Sequence, residues 1–557
     1  MKKTIAILLV FVLAISLIGC SSQQTQQETT LNYDQAVEKL NAYLSSGTVT
    51  SSAVTHMADP SWVGNEDAAS ELPGIDKYPL SISGSGQINI EIFSSTEKSN
   101  AKTPGWLDIQ AQAFNAQHNQ IDGQTVSVSI RPIASGLAFD YIRTQTYVPE
   151  AYTPANDLWG SMIEASGVQL QTVSDRLTGN VAGILMEKST YDSYIKKYGS
   201  VTIENVVKAV MAGDIMLGHT DPNVSSTGLN IYVHELRTFD PANPFSDQSI
   251  SALRQFEALI PPASPTTAEM AKVAQKGILN AVIMESQAFA AFPELSNWVF
   301  SPCGVRHDSP LFALSSLASD KLQGLQLFSD FCKSPAAQKS ASSLGFNQYD
   351  DYQGADSQYT GAELISALKI WKENKDGGKP VISVFVIDRS GSMDGSKLTR
   401  VKEALRNSMQ YVNESNYVGL VSYSSKDDIT IDLPIGQFNA KQQSLFAGAV
   451  NDFKAAGGTA TNSALTVALD MALKQMAVVA DAKIRILIMS DGEQNDGLTL
   501  YDVKGLVNGL AIPVYGIGFE ATLTDLQQLA DINEGYCVNA DSEDVIYKLK
   551  GLFMAQL

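Results

Sequence analysis

The stretch Val381–Ile387 reads Val-Ile-Ser-Val-Phe-Val-Ile, apolar at every position but one. A run of this kind predicts a strand buried on both faces, the situation of a central strand in a parallel sheet. Parallel neighbours require crossover helices, so the run commits the surrounding segment to an α/β unit. The rest of the C-terminal part fits that demand. Leu398, Val401, Leu405, Met409 and Val412 recur at helical spacing. Tyr417–Tyr423 and Ile429–Leu433 predict a hairpin, and Ser444–Phe453 a helix. The loop Gly457-Gly458-Thr459-Ala460-Thr461-Asn462 precedes a helix running to Met476. Ile484–Met489 and Ile512–Ile517 are two further apolar strands, followed by helices around Leu523–Ile532 and Val545–Phe553.

Three polar clusters fall at strand ends or a helix start in this unit: Asp388-Arg389-Ser390-Gly391-Ser392, the Thr459 loop, and Ser490-Asp491-Gly492. In a doubly wound sheet such points converge at the carboxyl edge, where ligands bind. They supply the carboxylates of Asp388 and Asp491 and the hydroxyls of Ser390, Ser392 and Thr459. An all-oxygen set without His or Cys suits a hard octahedral cation, Mg²⁺ or Mn²⁺. An EF-hand loop is excluded, because its glycine and acid positions hold Met393 and Thr399 and a strand precedes. Gly516-Ile517-Gly518 lacks the third glycine of a dinucleotide fingerprint.

This pattern resembles the von Willebrand factor type A domain with its metal-ion-dependent adhesion site. Asp388, Ser390 and Ser392 match that family's D-x-S-x-S, Thr459 its later threonine, and Asp491 its aspartate at the end of the fourth strand. The resemblance implies that the hydroxyls bind the metal directly while the aspartates often act through water. It further implies an electron-poor ion that takes a carboxylate from a protein partner, in reversible binding rather than catalysis.

Upstream, alternating strands and helices run from Gln87 to about Leu344, again α/β in type: strands Ile88–Phe93, Val126–Ile133, Val181–Met186 and Ala281–Met284, helices Trp106–Gln117, Tyr191–Tyr198 and Val201–Ala212. Asn230–Val233 is strand-like. The segment resembles a bacterial extracellular solute-binding protein, two-lobed and of the class serving ABC importers. Ser94-Ser95-Thr96 after the first strand, and the turn from Asp221-Pro222 through Ser225-Ser226 to Gly228, carry the resemblance. Hydroxyls at helix starts present donors suited to an anion or polar solute. Ser95, Thr96, Ser135 and Ser226 are the cleft candidates, with helix capping as their competing role. Val181–Met186 and Ala281–Met284 are expected to cross between lobes, and Glu187 and Glu285 after them to favour a cationic ligand instead. The expected architecture is therefore a two-lobed, type II periplasmic-binding-protein-like domain over 87–350, then a doubly wound, mostly parallel type A domain over 378–557. A helix at Ala362–Trp371 and the breaker Lys375-Asp376-Gly377-Gly378 separate them.

Lys2-Lys3 and the apolar run Ile5–Ile18 predict a secretory signal over 1–19, too short for a spanning helix. Leu17-Ile18-Gly19-Cys20 resembles the bacterial lipobox, which implies cleavage before Cys20 and acylation of its sulfur. Ser21–Thr30 reads as a flexible tether, and 20–86 as tether plus an irregular segment with one short helix at Leu31–Leu44. Of the remaining thiols, Cys303 and Cys332 can bridge or stay buried and free. The expected location is extracytoplasmic, lipid-anchored to the cell membrane.

Composition sets the outer limits. With 557 residues, 44% of them hydrophobic and 18% charged, the chain forms several cores and is not disordered throughout. Only the leader holds a long apolar run, which excludes a polytopic membrane protein. A formal net charge of −20 disfavours nucleic-acid binding. The histidines form no H-E-x-x-H, and neither a G-x-S-x-G elbow nor a P-loop is present, so no enzyme is expected. The expected function is Mg²⁺- or Mn²⁺-dependent binding of a protein partner by an anchored lipoprotein that also offers a site for a small solute. The alternative is an ABC-importer substrate receptor in which the type A module docks or regulates. A chelatase-linked role is disfavoured by the secretion signal, since ATP is scarce outside the cytoplasm.

Overall fold

The computed structural model describes residues 31–557 apart from 48, 52–55, 59–67, 278, 315–316 and 534. The expected leader, Cys20 and the tether to Thr30 lie outside the described residues. The strands are β1 (Val49–Ser51), β2 (Ile88–Ser94), β3 (Gln120–Ile121), β4 (Gln124–Pro132), β5 (Ala151–Thr153) and β6 (Leu170–Ser174). They continue with β7 (Val181–Glu187), β8 (Leu217–Gly218), β9 (Ala281–Glu285), β10 (Trp298–Arg306) and β11 (Leu311–Leu314). β12 (Val381–Asp388), β13 (Tyr417–Tyr423), β14 (Ile429–Gln437), β15 (Lys483–Ser490), β16 (Val514–Phe519) and β17 (Cys537–Ala540) complete the set.

Three sheets result. Two belong to the body: β3-β4-β2-β5-β11-β6 and β10-β7-β9-β8. The chain leaves the first sheet after β6, builds the second from β7 to β10, and returns to the first at β11. The two crossings lie side by side, with Leu177 N donating to Asp308 O at 3.2 Å and His307 N to Asn180 O at 3.0 Å. Val181–Met186 is therefore the interior of β7, between β10 and β9, rather than a crossing segment, and Ala281–Met284 is not one either. The latter lies in β9, flanked by β7 and β8, because its apolar residues are needed inside the second sheet. Asn230–Val233 is not a strand either. It is part of the helix Ser226–Phe239, capped by the Ser225 side chain at Gly228 N. That helix is buried nearly all round, so a four-residue apolar run carried no helical period to read.

The third sheet has the order β1-β14-β13-β12-β15-β16-β17. All eight residues of β12 are buried. Its side chains divide by the two-residue period of a strand: Phe385 and Ile387 enter the core on one face, while Ile382, Val384 and Val386 enter the core on the other. β13 and β15 flank it in parallel, and β16 and β17 continue the parallel run. β14 is antiparallel to β13, as the hairpin pattern predicts. The fold class is thus α/β throughout, with a mostly parallel C-terminal sheet.

The N-terminal segment is more ordered than its sequence suggests, and it belongs to the last sheet. The helix Tyr33–Ser46 buries Ala36 and Leu40 in the same core as Val503, Leu506 and Val507. Tyr43 Oη donates to Asp502 Oδ1 at 3.3 Å. β1 then pairs in parallel with β14, Val49 opposite Ile429, and covers that edge of the sheet. Farther on, Glu71 pairs with Lys550 at 2.8 Å before the chain bridges to the first sheet at Ile82 and Ile130.

The helix Gly361–Asn374 joins the units. Gly361 backs onto Ser161, where a Cβ would come within 1.9 Å of the carbonyl oxygen, while Tyr232 Oη donates to Ala367 O at 2.8 Å. Trp371 Nε1 donates to Glu257 Oε1 at 3.0 Å. The helix thereby touches elements of both lobes. The breaker that follows is an ionic joint: Asp376 accepts from Lys375 at 3.2 Å and from Arg485 at 2.8 Å. Burial alone would raise the Asp376 carboxyl, but Lys375 and Arg485 hold it down at about 2.

Leu40→Ala tests whether the N-terminal helix supports the last sheet. The expected outcome is a loss of about 2–5 kcal/mol, the cost of emptying a buried leucine site, read as reduced hydrogen-exchange protection across Leu500–Leu510. Unchanged protection there would show that the helix contributes nothing to this unit.

Candidate functional site

Asp388 is the last residue of β12 and Ser490 the last of β15. The strands run in parallel register, Ile387 opposite Met489, so the chain beyond each emerges at the same edge. Asp388 is fully buried. Its Oδ1 accepts the Ser390 N–H at 2.7 Å, and its Oδ2 accepts the Ser490 hydroxyl. Burial pushes its carboxyl above the ordinary range, while those two donors pull it back down.

From Ser390 a line of oxygens leads across the edge. Ser390 Oγ lies 3.0 Å from Ser392 Oγ, and Ser392 Oγ donates to Asp491 Oδ1 at 2.6 Å. Asp491 Oδ2 accepts from Lys397 Nζ at 2.7 Å. The Thr459 loop is fastened alongside: Gly391 N donates to Gly457 O at 3.1 Å, and Thr459 N to Asn495 Oδ1 at 2.9 Å. Gly457 has φ +70° and would place a Cβ 2.8 Å from Ser424 Oγ, so only glycine serves there. At Gly492 a Cβ would meet Thr459 Oγ1 at 3.6 Å and Ser392 Oγ at 4.0 Å, which places both hydroxyls around one small space.

This donor set suits a hard cation. An octahedron with bonds of 2.0–2.1 Å has edges of about 3 Å, close to the observed oxygen separations of 3.0 and 2.6 Å. The hydroxyls outnumber the carboxylates. Among the described residues no group of three His, Cys, Asp or Glu side chains is placed to hold a metal, so any ion here depends on neutral oxygens.

The body contains a second polar assembly between its lobes. Ser135 and Ser226 open two helices and meet there, Ser226 Oγ donating to Ser135 Oγ at 3.1 Å and receiving Trp159 Nε1 at 2.9 Å. Ser95 is buried and accepts from the fully buried Lys98 ammonium, which also donates to Pro154 O at 3.1 Å. Thr96 is exposed, unlike the other three cleft candidates. Glu285 is buried and accepts from Thr227 Oγ1 at 3.1 Å, with His307 Nδ1 at 2.6 Å. Asn156 and Asn230 amides stand 3.1 and 3.0 Å from His307 Nε2, so the hydrogen-bond pattern assigns the ring proton to Nδ1. Glu187 lies at the end of β7 opposite Trp298 and takes no part.

Residues 384–552 match the family model described as von Willebrand factor type A domain. That stretch is a von Willebrand factor type A domain. Bovine inter-alpha-trypsin inhibitor heavy chain H3 is 28% identical over 195 residues, 32% of this chain and 21% of that protein. Human heavy chain H4 is 27% identical over 176 residues, 29% of this chain and 19% of that protein. The chain thus spans about a fifth of the length of these curated relatives. Among solved structures, a von Willebrand factor type A protein from Catenulispora acidiphila is 18% identical, covering 32% of this chain and 42% of its own, with a TM-score of 0.29. The sulfate-binding protein SubI from Mycobacterium tuberculosis H37Rv is 13% identical over 47% of this chain and 88% of its own, with a TM-score of 0.34. A periplasmic thiamin binding protein is 11% identical over 53% and 99%, with a TM-score of 0.39.

The edge of the type A domain holds residues that motif reading passed over. Ser490 stands directly before Asp491 in the sequence, yet only the structure shows its hydroxyl on Asp388. Asn495 fastens the Thr459 loop from four residues beyond Asp491, and nothing in the local pattern signals it. Lys397 sits one helical turn past the D-x-S-x-S segment and looks like an ordinary surface lysine. In the body, Cys303 and Cys332 are free, buried thiols in separate cores.

Glu235 is buried within the helix Ser226–Phe239. Burial pushes the Glu235 carboxyl up to about 8 from an ordinary 4.5. Between those values the unfolded chain has released a proton that the folded chain retains, so stability falls as pH rises, by up to about 1.4 kcal/mol per pH unit. Glu235→Gln removes this contribution. Its stability relative to wild type should therefore be higher at pH 8 than at pH 5, as urea unfolding at the two pH values measures. A difference that stays constant with pH would contradict the assignment.

Proposed function

We propose that this chain is an extracytoplasmic, lipid-anchored binding protein whose type A domain grips an acid group of a protein partner through Mg²⁺ or Mn²⁺. The observation that carries the reading is the oxygen line Ser390–Ser392–Asp491, with separations of 3.0 and 2.6 Å and Thr459 facing the same space. Ser390, Ser392 and Thr459 would hold the ion through hydroxyls, with Asp388 and Asp491 supplying the negative charge. When bound, the ion supplies a Lewis-acidic position open to an oxygen from outside. The chain's own residues fix the geometry: Ser490 and the Ser390 N–H aim Asp388, and Asn495 aims the Thr459 loop. Ser392 is exposed, which leaves the assembly reachable from solvent. No helix among the described residues is long and apolar enough to cross a membrane.

A second reading rests on the interlobe assembly. Thr153 Oγ1, Asn156 Oδ1 and Asn180 Nδ2 are buried there without partners among the described residues, and unpaired buried polar atoms are costly unless something satisfies them. A small polar solute would do so, as for a receptor feeding an ABC importer. The helix Gly361–Asn374 weighs against free opening of the lobes, because it is packed on elements of both.

The two readings separate in one experiment on the full chain with its leader removed. Thermal unfolding with Mn²⁺ at 100 times its dissociation constant should show about 2.7 kcal/mol of added stability, abolished in Asp388→Ala and Thr459→Ala. Equal melting of wild type with and without Mn²⁺ and Mg²⁺ would sink the first reading. Solute-induced stabilisation that survives EDTA would favour the second.

A further inference from the structure

Lys397 occupies an unusual place. It is the second residue of the helix Ser396–Ser408, whose first turn contains no acid. A cation there faces the positive end of the helix dipole, an unfavourable position. What holds it is Asp491: Nζ lies 2.7 Å from Oδ2, and the Asp491 side chain is 1% exposed against 28% for Lys397. The lysine therefore reaches inward to a buried carboxylate rather than outward to water.

A second carboxylate stands beyond it. Glu520 Oε2 is 3.8 Å from the same ammonium. Glu520 follows β16 with φ +55°, a left-handed conformation that a glutamate rarely adopts. Its N–H donates to Ala540 O at 2.7 Å, and its Oε1 accepts from Ser542 Oγ at 3.1 Å. The Ser542 bond occupies Oε1 and leaves Oε2 as the oxygen nearer Lys397. One ammonium is thus placed between two acids, the nearer shared with the Ser392 hydroxyl and the farther at the rim.

We propose that Lys397 is the counter-cation built into this site: its ammonium holds Asp491 in the absence of a divalent ion and withdraws to Glu520 as one is bound. The inference rests on the metal reading above and refines it by naming the residue that sets metal affinity. An ammonium on Asp491 Oδ2 and a divalent ion beside Oδ1 repel each other across one carboxylate. Lysine and metal compete, and Glu520 lowers the cost of the lysine's departure. The arrangement keeps Asp491 paired in the empty site, where a lone buried carboxylate would be destabilising.

The test measures Mn²⁺ affinity of the full chain by calorimetry, alongside metal-induced change in Tm, for wild type, Lys397→Gln, Lys397→Arg, Glu520→Gln and the Lys397→Gln/Glu520→Gln double variant. Lys397→Gln should bind Mn²⁺ at least about tenfold more tightly, a modest share of what a neighbouring charge contributes, and show a larger metal-induced rise in Tm. Lys397→Arg should remain as weak as wild type, because the charge is kept. Glu520→Gln should weaken binding in the wild-type background and have no effect once Lys397 is replaced. Mn²⁺ binding by wild type with equal or lower affinity in Lys397→Gln would overturn this proposal alone. Absence of Mn²⁺ binding in every variant would overturn both it and the metal reading. Lys397→Arg guards against a folding artefact, since it preserves the ion pair.

Discussion

A buried carboxylate satisfied by neutral donors underlies the whole carboxyl edge of the type A domain. Asp388 is fully buried, and its two oxygens are taken by the Ser390 N–H and the Ser490 hydroxyl, with no cation paired to it among the described residues. Such a group is tolerated only if its oxygens are hydrogen-bonded. The parallel register of β12 and β15 meets that need by setting Ser490 beside it. Once Asp388 is pinned, the Ser390 turn is pinned with it, and Gly391 locks that turn to Gly457. The position of Thr459 follows from the same chain of constraints. Ser390 and Thr459 are thus placed by backbone geometry, while the Ser392 hydroxyl is held by the Asp491 carboxylate.

Charge is handled the opposite way at the other end of the sheet, where the domain meets the body. There Asp376 collects Lys375 and Arg485 in a buried joint. Removing one partner of such a cluster leaves an uncompensated charge, so the joint constrains the relative placement of the modules. The helix Gly361–Asn374 leads into it while packed on both lobes, and the N-terminal helix and β1 return from the other direction to cover the sheet. The body and the type A domain are therefore interleaved in sequence: the described residues start on the last sheet with the helix Tyr33–Ser46 and β1, pass through both lobes, and return to that sheet.

Much of this was legible without coordinates. Apolar runs located β12, β15 and β16 because strands buried on both faces need no alternation. The D-x-S-x-S segment, Thr459 and Asp491 were legible because strand ends in parallel sheets gather at one edge. Failures had physical causes of their own. Asn230–Val233 lies in a helix buried all round, and periodicity vanishes when every face is apolar. Ala281–Met284 reads like any core strand, and no local feature tells a crossing segment from an interior one. A helix was expected at Leu31–Leu44, but the docking of the helix Tyr33–Ser46 against Leu506 and Val507 depends on partners hundreds of residues away. Thr96 shares a Ser-Ser-Thr run with Ser95 yet faces solvent, since adjacent residues in a turn can point oppositely.

Sequence alone determined the chemistry: hard oxygen donors in a set order, apolar strands to carry them, and too few acids to saturate a divalent ion. These follow from residue type and short-range period, which a chain displays openly. Tertiary structure decided the pairings. That Ser490 serves Asp388, that Lys397 lies between Asp491 and Glu520, and that the helix Tyr33–Ser46 and β1 dock on the last sheet are all contacts between distant segments. Their partners are selected by strand register and helix docking, and neither is written in the neighbourhood of the residues concerned.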